Sequence, residues 1–203
     1  CGNGSRCVAS LLFRESGQDK ILIESRAGLL KGEIGPDGLV QVDMGPAYLD
    51  WREIPLAFEA DTLNDDLTYQ PQQGPKLSGR CAVGMGNPHA VFFVEDLDAI
   101  DIPTVGPILE NHDVFPERAN IGFVQILGQD RLRLRVWERG AGLTLACGSG
   151  ACAALVASHR RGKCARRAYM TVDGGELIIE WRETDGHVLM SGGVATAFSG
   201  VLD

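Results

Sequence analysis

The chain has 203 residues, a formal net charge of −8, 44% hydrophobic and 23% charged residues, which is the composition of an ordinary globular protein with room for a sizeable core. The acidic balance argues against a nucleic-acid surface, which needs clustered positive charge, and no apolar run approaches the roughly 18 residues of a membrane-spanning helix. No secretory or lipidation signature is recognisable, so the expectation is a soluble cytoplasmic protein without nucleic-acid or membrane partners.

Cys1-Gly-Asn-Gly-Ser-Arg-Cys7 opens a helical pattern in which Cys7, Val8, Leu11 and Leu12 share one face. The first residue already belongs to a motif that needs a preceding strand to position it, so a segment upstream of Cys1 is expected. Residues 20–24 read as a strand, and 32–45 as a hairpin around Pro36-Asp37-Gly38. Met44-Gly45-Pro46 marks a crossing into another part of the fold. Residues 47–78 carry little period, interrupted by Pro55, Pro71 and Pro75, apart from a short strand at 67–69. In 80–94 two apolar strands flank Gly84-Met-Gly-Asn-Pro-His89, which sets Asn87 and His89 at a turn between buried runs. Turn chemistry alone explains Asn-Pro, whereas an imidazole near a thiol would stabilise a thiolate or exchange a proton with it.

Residues 95–112 hold a turn and a short helix with Pro107 at its first position. The loop 115–120 leads through Asn120 into a strand at 121–127. After a turn at 128–130, Arg131-Leu-Arg-Leu-Arg-Val136 alternates cleanly, with arginines on one face and Leu132, Leu134 and Val136 on the other. Parity puts Glu138 on the apolar face, where a carboxylate needs a partner or a ligand. Arg139 points the other way unless Gly140 and Gly142 re-aim the backbone. Closing strands are expected at 169–172, 176–181, 188–190 and 194–198.

The chain is organised around Thr144-Leu-Ala-Cys-Gly-Ser-Gly-Ala-Cys-Ala-Ala-Leu-Val-Ala-Ser158, the start of a buried helix ending near Gly162. Cys147 stands where the first helical N–H groups lack partners and favour an anion. Gly148 and Gly150 keep that approach free of side chains. A helix start contributes at most about 2 kcal/mol and one pKa unit is about 1.4 kcal/mol, so the dipole can lower a thiol from about 8.5 only to roughly 7. Cys-Gly-x-Gly and a downstream Asp-Gly hairpin both recur: 146 positions separate Cys1 from Cys147, and 148 separate Asp37 from Asp185. This order predicts a duplicated α/β half, with two thiol-bearing helix starts facing a common cleft. The six cysteines contain no Cys-x-x-Cys pair, so neither zinc nor disulfides are expected, and Cys7, Cys81, Cys152 and Cys164 read as small buried residues.

Three chemistries fit a thiol at a helix start. Cys147 could be a hydrolase nucleophile with His89 as its base, which leaves the second motif unused. Cys1 and Cys147 could be a redox pair, although such pairs usually sit close in sequence. Or one thiolate removes an α-proton while the other thiol delivers a proton to the opposite face, which explains why the motif occurs twice. In that case the carbanionic charge must also be stabilised by backbone N–H groups in a site closed to water.

Six motifs in order resemble the diaminopimelate epimerases: Cys1-Gly-Asn-Gly-Ser-Arg-Cys7, Asp43-Met-Gly45, Gly86-Asn-Pro-His-Ala-Val91, Phe115-Pro-Glu-Arg-Ala-Asn120, Glu138-Arg-Gly-Ala-Gly142 and Ala146-Cys-Gly-Ser-Gly-Ala-Cys-Ala153. Proline racemases share the two-thiol plan, but resemble a Cys-Gly-His-Gly first motif and lack Glu-Arg-Gly-Ala-Gly. The resemblance implies an α/β fold of two pseudo-symmetric halves, each a curved mixed sheet around a central helix. Residues 1–45 would be the remainder of the first half, joined by 196–203, and 46–195 the second. It implies epimerisation of LL-diaminopimelate to the meso form, on the route to lysine and cell-wall peptide, without a cofactor or a metal, in a homodimer acting on a small amino-acid substrate. Cys1 and Cys147 would be the acid–base pair. Gly2, Asn3, Gly148 and Ser149 would hold the α-carboxylate, and Asn87, Asn120, Glu138 and Arg139 would contact the substrate, mostly its distal end. His89 and Glu138 would tune the thiols. Leu143 stands where the family usually has glutamate, and about 70 residues that would precede Cys1 are absent. The nearest alternative is a racemase or epimerase of another amino acid on the same plan, and, if the chain begins at Cys1, a non-catalytic remnant is the alternative from another class.

Overall fold

The structure, a computed structural model, describes residues 2–25, 28–198 and 200–201. Its elements in chain order are α1 (Gly2–Ser16), β1 (Lys20–Ser25), β2 (Gly28–Ile34), β3 (Val40–Pro46), β4 (Cys81–Gly84), β5 (Pro88–Phe93), α2 (Ile102–Glu110), β6 (Asn120–Gly128), β7 (Arg131–Glu138), β8 (Gly142–Thr144), α3 (Gly148–Arg160), β9 (Arg167–Val172), β10 (Gly175–Trp181) and β11 (His187–Gly192). The strands join in one mixed sheet, in the order β1-β2-β3-β11-β10-β9-β7-β6-β5-β4 with β8 attached to β7. Pairs β5–β6 and β7–β9 are parallel.

The order carries the repeat expected from the sequence. Helix α1 is followed by the antiparallel meander β1–β2–β3, and α3 by the antiparallel meander β9–β10–β11. The two meanders meet where β3 pairs antiparallel with β11, so the sheet reads as two helix-plus-meander units joined edge to edge. Gly38 (φ 78°) and Gly186 (φ 72°) turn the two equivalent hairpins, a backbone region that glycine occupies without strain. Among the described residues no helix is long and apolar enough to cross a membrane.

The main core surrounds α3. Ala151, Cys152, Ala154, Leu155 and Val156 pack against Val83, Val91, Leu132, Leu134, Val136, Ile179 and Met190. A helix this rich in alanine lets strands approach it from all round, and the alternation in β7 buries Leu132, Leu134 and Val136 as expected. Its outward arginines pair with acids: Arg131 with Glu176, Arg133 with Asp98 and Arg135 with Asp173. A second core lies between α2 and β5–β6, around Phe92, Ile102, Leu109, Ile121 and Phe123. A third and much smaller one holds α1 by Ala9, Phe13 and Val40.

Several sequence expectations need correction. Helix α1 buries Gly2, Arg6, Ala9 and Phe13, while Cys7 is exposed and Val8 and Leu11 are 45% and 47% exposed. The apolar residues marked one face, but the sheet covers the neighbouring one, which contains an arginine. Helix α2 begins five residues before Pro107, because Asp101 caps it through the Thr104 backbone N–H (3.4 Å) and hydroxyl (2.7 Å). Pro103 takes the first turn, leaving Pro107 in the interior. Residues 194–198 form no strand, and of 67–69 only Tyr69 makes a bridge, to Leu77.

Candidate active site

The two helix starts face each other. A side-chain carbon on Gly148 would stand 3.3 Å from Gly2 Cα and 3.1 Å from Met190 Sδ, tight enough to push the two helix starts apart by a few tenths of an ångström. Asn3 Nδ2 donates to the carbonyl of Ala146 (3.0 Å), the residue before Cys147. Arg6 Nη1 donates in turn to Asn3 Oδ1 (3.2 Å) and lies 3.2 Å from Met190 Sδ, which fixes the orientation of the Asn3 amide. The Nε of Arg6 is buried with no partner, and burial holds this guanidinium below its ordinary pKa. Met190 and Met44 form the floor: a side chain on Gly2 would meet Met190 Cε at 2.6 Å and Met44 Cε at 3.0 Å. Cys1 lies outside the described residues.

Cys147 caps α3 with its own sulfur, which accepts the Gly150 N–H at 3.3 Å. Ser149 Oγ lies 3.7 Å from the same sulfur. The thiol is 5% exposed, and burial, followed by the negative charge of Glu138, pushes it up to about 12. The Gly150 N–H and the Ser149 hydroxyl act the other way without prevailing. From the sequence, roughly 7 is the limit that the dipole alone could reach. The helix start alone favours the thiolate, but a buried thiol beside a carboxylate stays protonated because desolvation and like charge outweigh one N–H bond.

The other site residues form two linked groups. Asn87 Nδ2 donates to Ser149 Oγ (3.5 Å), and Asn87 Oδ1 accepts from His89 Nε2 (3.0 Å), which assigns the ring proton to Nε2. Burial, with the Arg139 charge as a second cause, lowers His89 to about 3, so its ring is neutral at physiological pH and orients the Asn87 amide. The partners of the Cys147 thiol are Gly150, Ser149 and Glu138, while the bond His89 makes is to Asn87. In the second group, Asn120 Nδ2 donates to Pro88 O (3.0 Å) and its Oδ1 accepts the Arg139 N–H (3.0 Å). Arg139 Nη1 donates to Glu117 O (2.9 Å), and Glu138 accepts from the Thr144 hydroxyl. A cleft of about 290 Å³, lined by Tyr48, Glu53, Asn87, Glu117 and Arg139 among others, opens beside these groups. A larger cavity of about 510 Å³ lies over β1–β3, between Lys20, Lys31, Asp43 and Arg182; the smaller cleft is the one that Asn87 and Arg139 line.

Sequence reasoning missed Arg6, Met44, Met190, Thr144 and Tyr48. Met44 sits inside the Asp43-Met-Gly45 motif and was legible at least as a marked position. Arg6 and Thr144 also lie in marked stretches, with partners three and six residues away, but Met190 and Tyr48 are single residues with no local pattern to reveal them. Leu143 packs with Trp137 against the core around α2.

The fold is that of the proline racemase and phenazine-biosynthesis epimerase-like proteins. It superimposes on a hydroxyproline epimerase of Agrobacterium vitis with a TM-score of 0.62 at 14% identity, covering 92% of this chain and 61% of that one. A putative phenazine biosynthesis PhzC/PhzF protein of Clostridium difficile gives 0.65 at 12% identity, covering 100% and 73%. Sequence narrows the class. Residues 81–197 match the profile of the family described as Diaminopimelate epimerase. The whole chain is 55% identical to a diaminopimelate epimerase of Rhodospirillum centenum and 59% identical to one of Acidiphilium cryptum, spanning 67% and 71% of their lengths. The chain belongs to the diaminopimelate epimerase family, a family of isomerases.

Proposed function

We propose that the chain interconverts LL- and meso-diaminopimelate by two-base proton transfer between Cys1 and Cys147, supplying a precursor of lysine and peptidoglycan. The observation that carries this reading is the approach of Gly2 to Gly148, 3.3 Å from Gly2 Cα to a side-chain carbon at Gly148, which brings the residues following the two cysteines into contact. One sulfur, as thiolate, takes the α-proton, forming an S–H bond as the C–H bond breaks. The electron pair passes into the α-carboxylate, and the other thiol delivers its proton to the opposite face. The pair ends with the roles exchanged. Burial and the Glu138 charge push Cys147 up to about 12, which is the protonated state a proton donor needs.

In this reading the N–H groups of Gly2, Asn3, Gly148 and Ser149, at the two helix starts, hold the α-carboxylate, where fixed donors stabilise the developing charge. Asn87 and Arg139 line the neighbouring cleft, and in this reading they contact the distal amino-acid end together with Asn120 and Glu138. Identities of 55–59% over the whole chain to diaminopimelate epimerases, against 14% to the hydroxyproline epimerase, favour this substrate over a cyclic imino acid.

In D2O the parent protein is expected to incorporate deuterium at the substrate α-carbon, and Cys1→Ala and Cys147→Ala each to lower that rate by about 10³-fold. Variants that exchange as fast as the parent, or a parent that does not exchange, would overturn the reading.

A further inference from the structure

We propose that Glu110 is a positioning residue of this site: its single buried carboxylate clamps together the two loops that bring Asn120, Glu138 and Arg139 to the substrate. The inference rests on the substrate reading above. Glu110 ends α2 and is 5% exposed. Its Oε2 accepts the Trp137 Nε1–H at 2.7 Å. Its Oε1 accepts the Gly140 backbone N–H at 2.9 Å and Arg118 Nη1 at 3.2 Å.

The three donors come from the loop before β6, from the end of β7 and from the loop after it. Arg118 lies two residues before Asn120, and Trp137 and Gly140 bracket Glu138 and Arg139. The loop before β6 needs holding. Among the described residues Arg118 is the one non-glycine with a left-handed backbone, at φ 58°, a conformation that persists where its surroundings over-determine it; Gly140, at 74°, turns the other loop without strain. A buried carboxylate is costly unless its oxygens are used, and here both accept.

Helix α2 supplies the seat as well as the clamp. A side-chain carbon on Gly106 would lie 2.5 Å from the Trp137 ring, so the missing side chain lets the indole rest on the helix one turn before Glu110. The Asn120–Arg139 bond then joins the loops on the substrate side, while Glu110 joins them from behind. Cys147 stands on a different element, α3. Glu138, whose charge bears on that thiol, is also held by the Thr144 hydroxyl, so loosening the clamp acts first on Asn120 and Arg139, at the distal end, and least on proton transfer.

Glu110→Gln keeps the shape and one acceptor but turns an amide N–H towards a donor, Trp137 Nε1 or Gly140 N. The KM for LL-diaminopimelate is expected to rise about ten-fold while kcat changes by less than about two-fold. Trp137→Phe and Arg118→Met each remove one donor, and each should raise KM by about two- to three-fold. A residue that served stability alone would lower the melting temperature and leave KM where it was. Parental KM in folded Glu110→Gln overturns the inference, and if that variant does not fold, parental KM in both donor variants overturns it. In these cases the parent still exchanges the α-proton, so the substrate reading survives. A parent that neither exchanges the α-proton nor binds diaminopimelate in calorimetry overturns both.

Discussion

Helices α1 and α3 begin with the same Cys-Gly-x-Gly device and meet at their starts, yet they are packed in opposite ways. Ten of the thirteen residues of α3 are buried, against four of the fifteen in α1, one of them Arg6. Strands surround α3, whereas α1 rests on β1–β3 and turns Val8 and Leu11 outward. The comparison separates two jobs that one motif performs. The glycines and the thiol set how a helix start approaches its twin. The residues further along each helix decide how firmly that start is held, and on α3 this firmness is also what raises the Cys147 thiol.

The sharpest way to break the comparison is to remove the same side chain from each helix. Leu155→Ala in α3 should cost about 3 kcal/mol in denaturant unfolding, from lost burial and the cavity left behind. Leu11→Ala in α1 should cost less than about 0.5 kcal/mol. Equal losses would mean that α1 is as enclosed as α3.

A smaller effect comes from pH. The neutral ring of His89, held at about 3, takes up a proton on unfolding wherever the pH is below its ordinary value of 6.5. Its contribution is complete above 6.5 and falls as the pH drops from 6.5 towards 3, by up to about 1.4 kcal/mol per unit. At the alkaline end, Cys81 and Cys164 at about 11 and Cys147 at about 12, with Cys152 also raised, are all pushed up chiefly by burial in the α3 core. Unfolded thiols ionise first, so stability should also decline as the pH climbs past about 9. Unfolding free energies measured across pH 4 to 10 check both limbs, and a flat profile would contradict the burial of these groups.

What the sequence made legible follows the same division. Alternation in β7 was readable because one face of that strand meets a core and the other meets paired acids. The α3 helix was readable from its run of small residues, and the repeat from two motifs in matching order. The covered face of α1 was not, because periodicity marks where apolar side chains lie and is silent about which side another element approaches. The start of α2 was misplaced because two prolines offered competing first turns, and the Asp101 cap decided between them. In the site, Cys147, Asn87, Asn120, Glu138 and Arg139 stood out as motif residues. The state of the thiol did not, since desolvation and the Glu138 charge arise only when β7 and α3 are packed together. Glu110 carried no signal at all: one acid at the end of a short helix acquires its role from donors 8, 27 and 30 residues away.

The central claim is that two sulfurs flank a single substrate carbon, and mild oxidation in the absence of substrate tests it most directly. Mass spectrometry of the digested protein should find a Cys1–Cys147 cross-link, since a disulfide requires the two Cα atoms to come within about 7 Å. Diaminopimelate should slow its formation, and reductant should restore α-proton exchange. A Cys147 that stays unlinked to Cys1 under oxidation, or activity lost in a way that reductant does not reverse, would contradict the account.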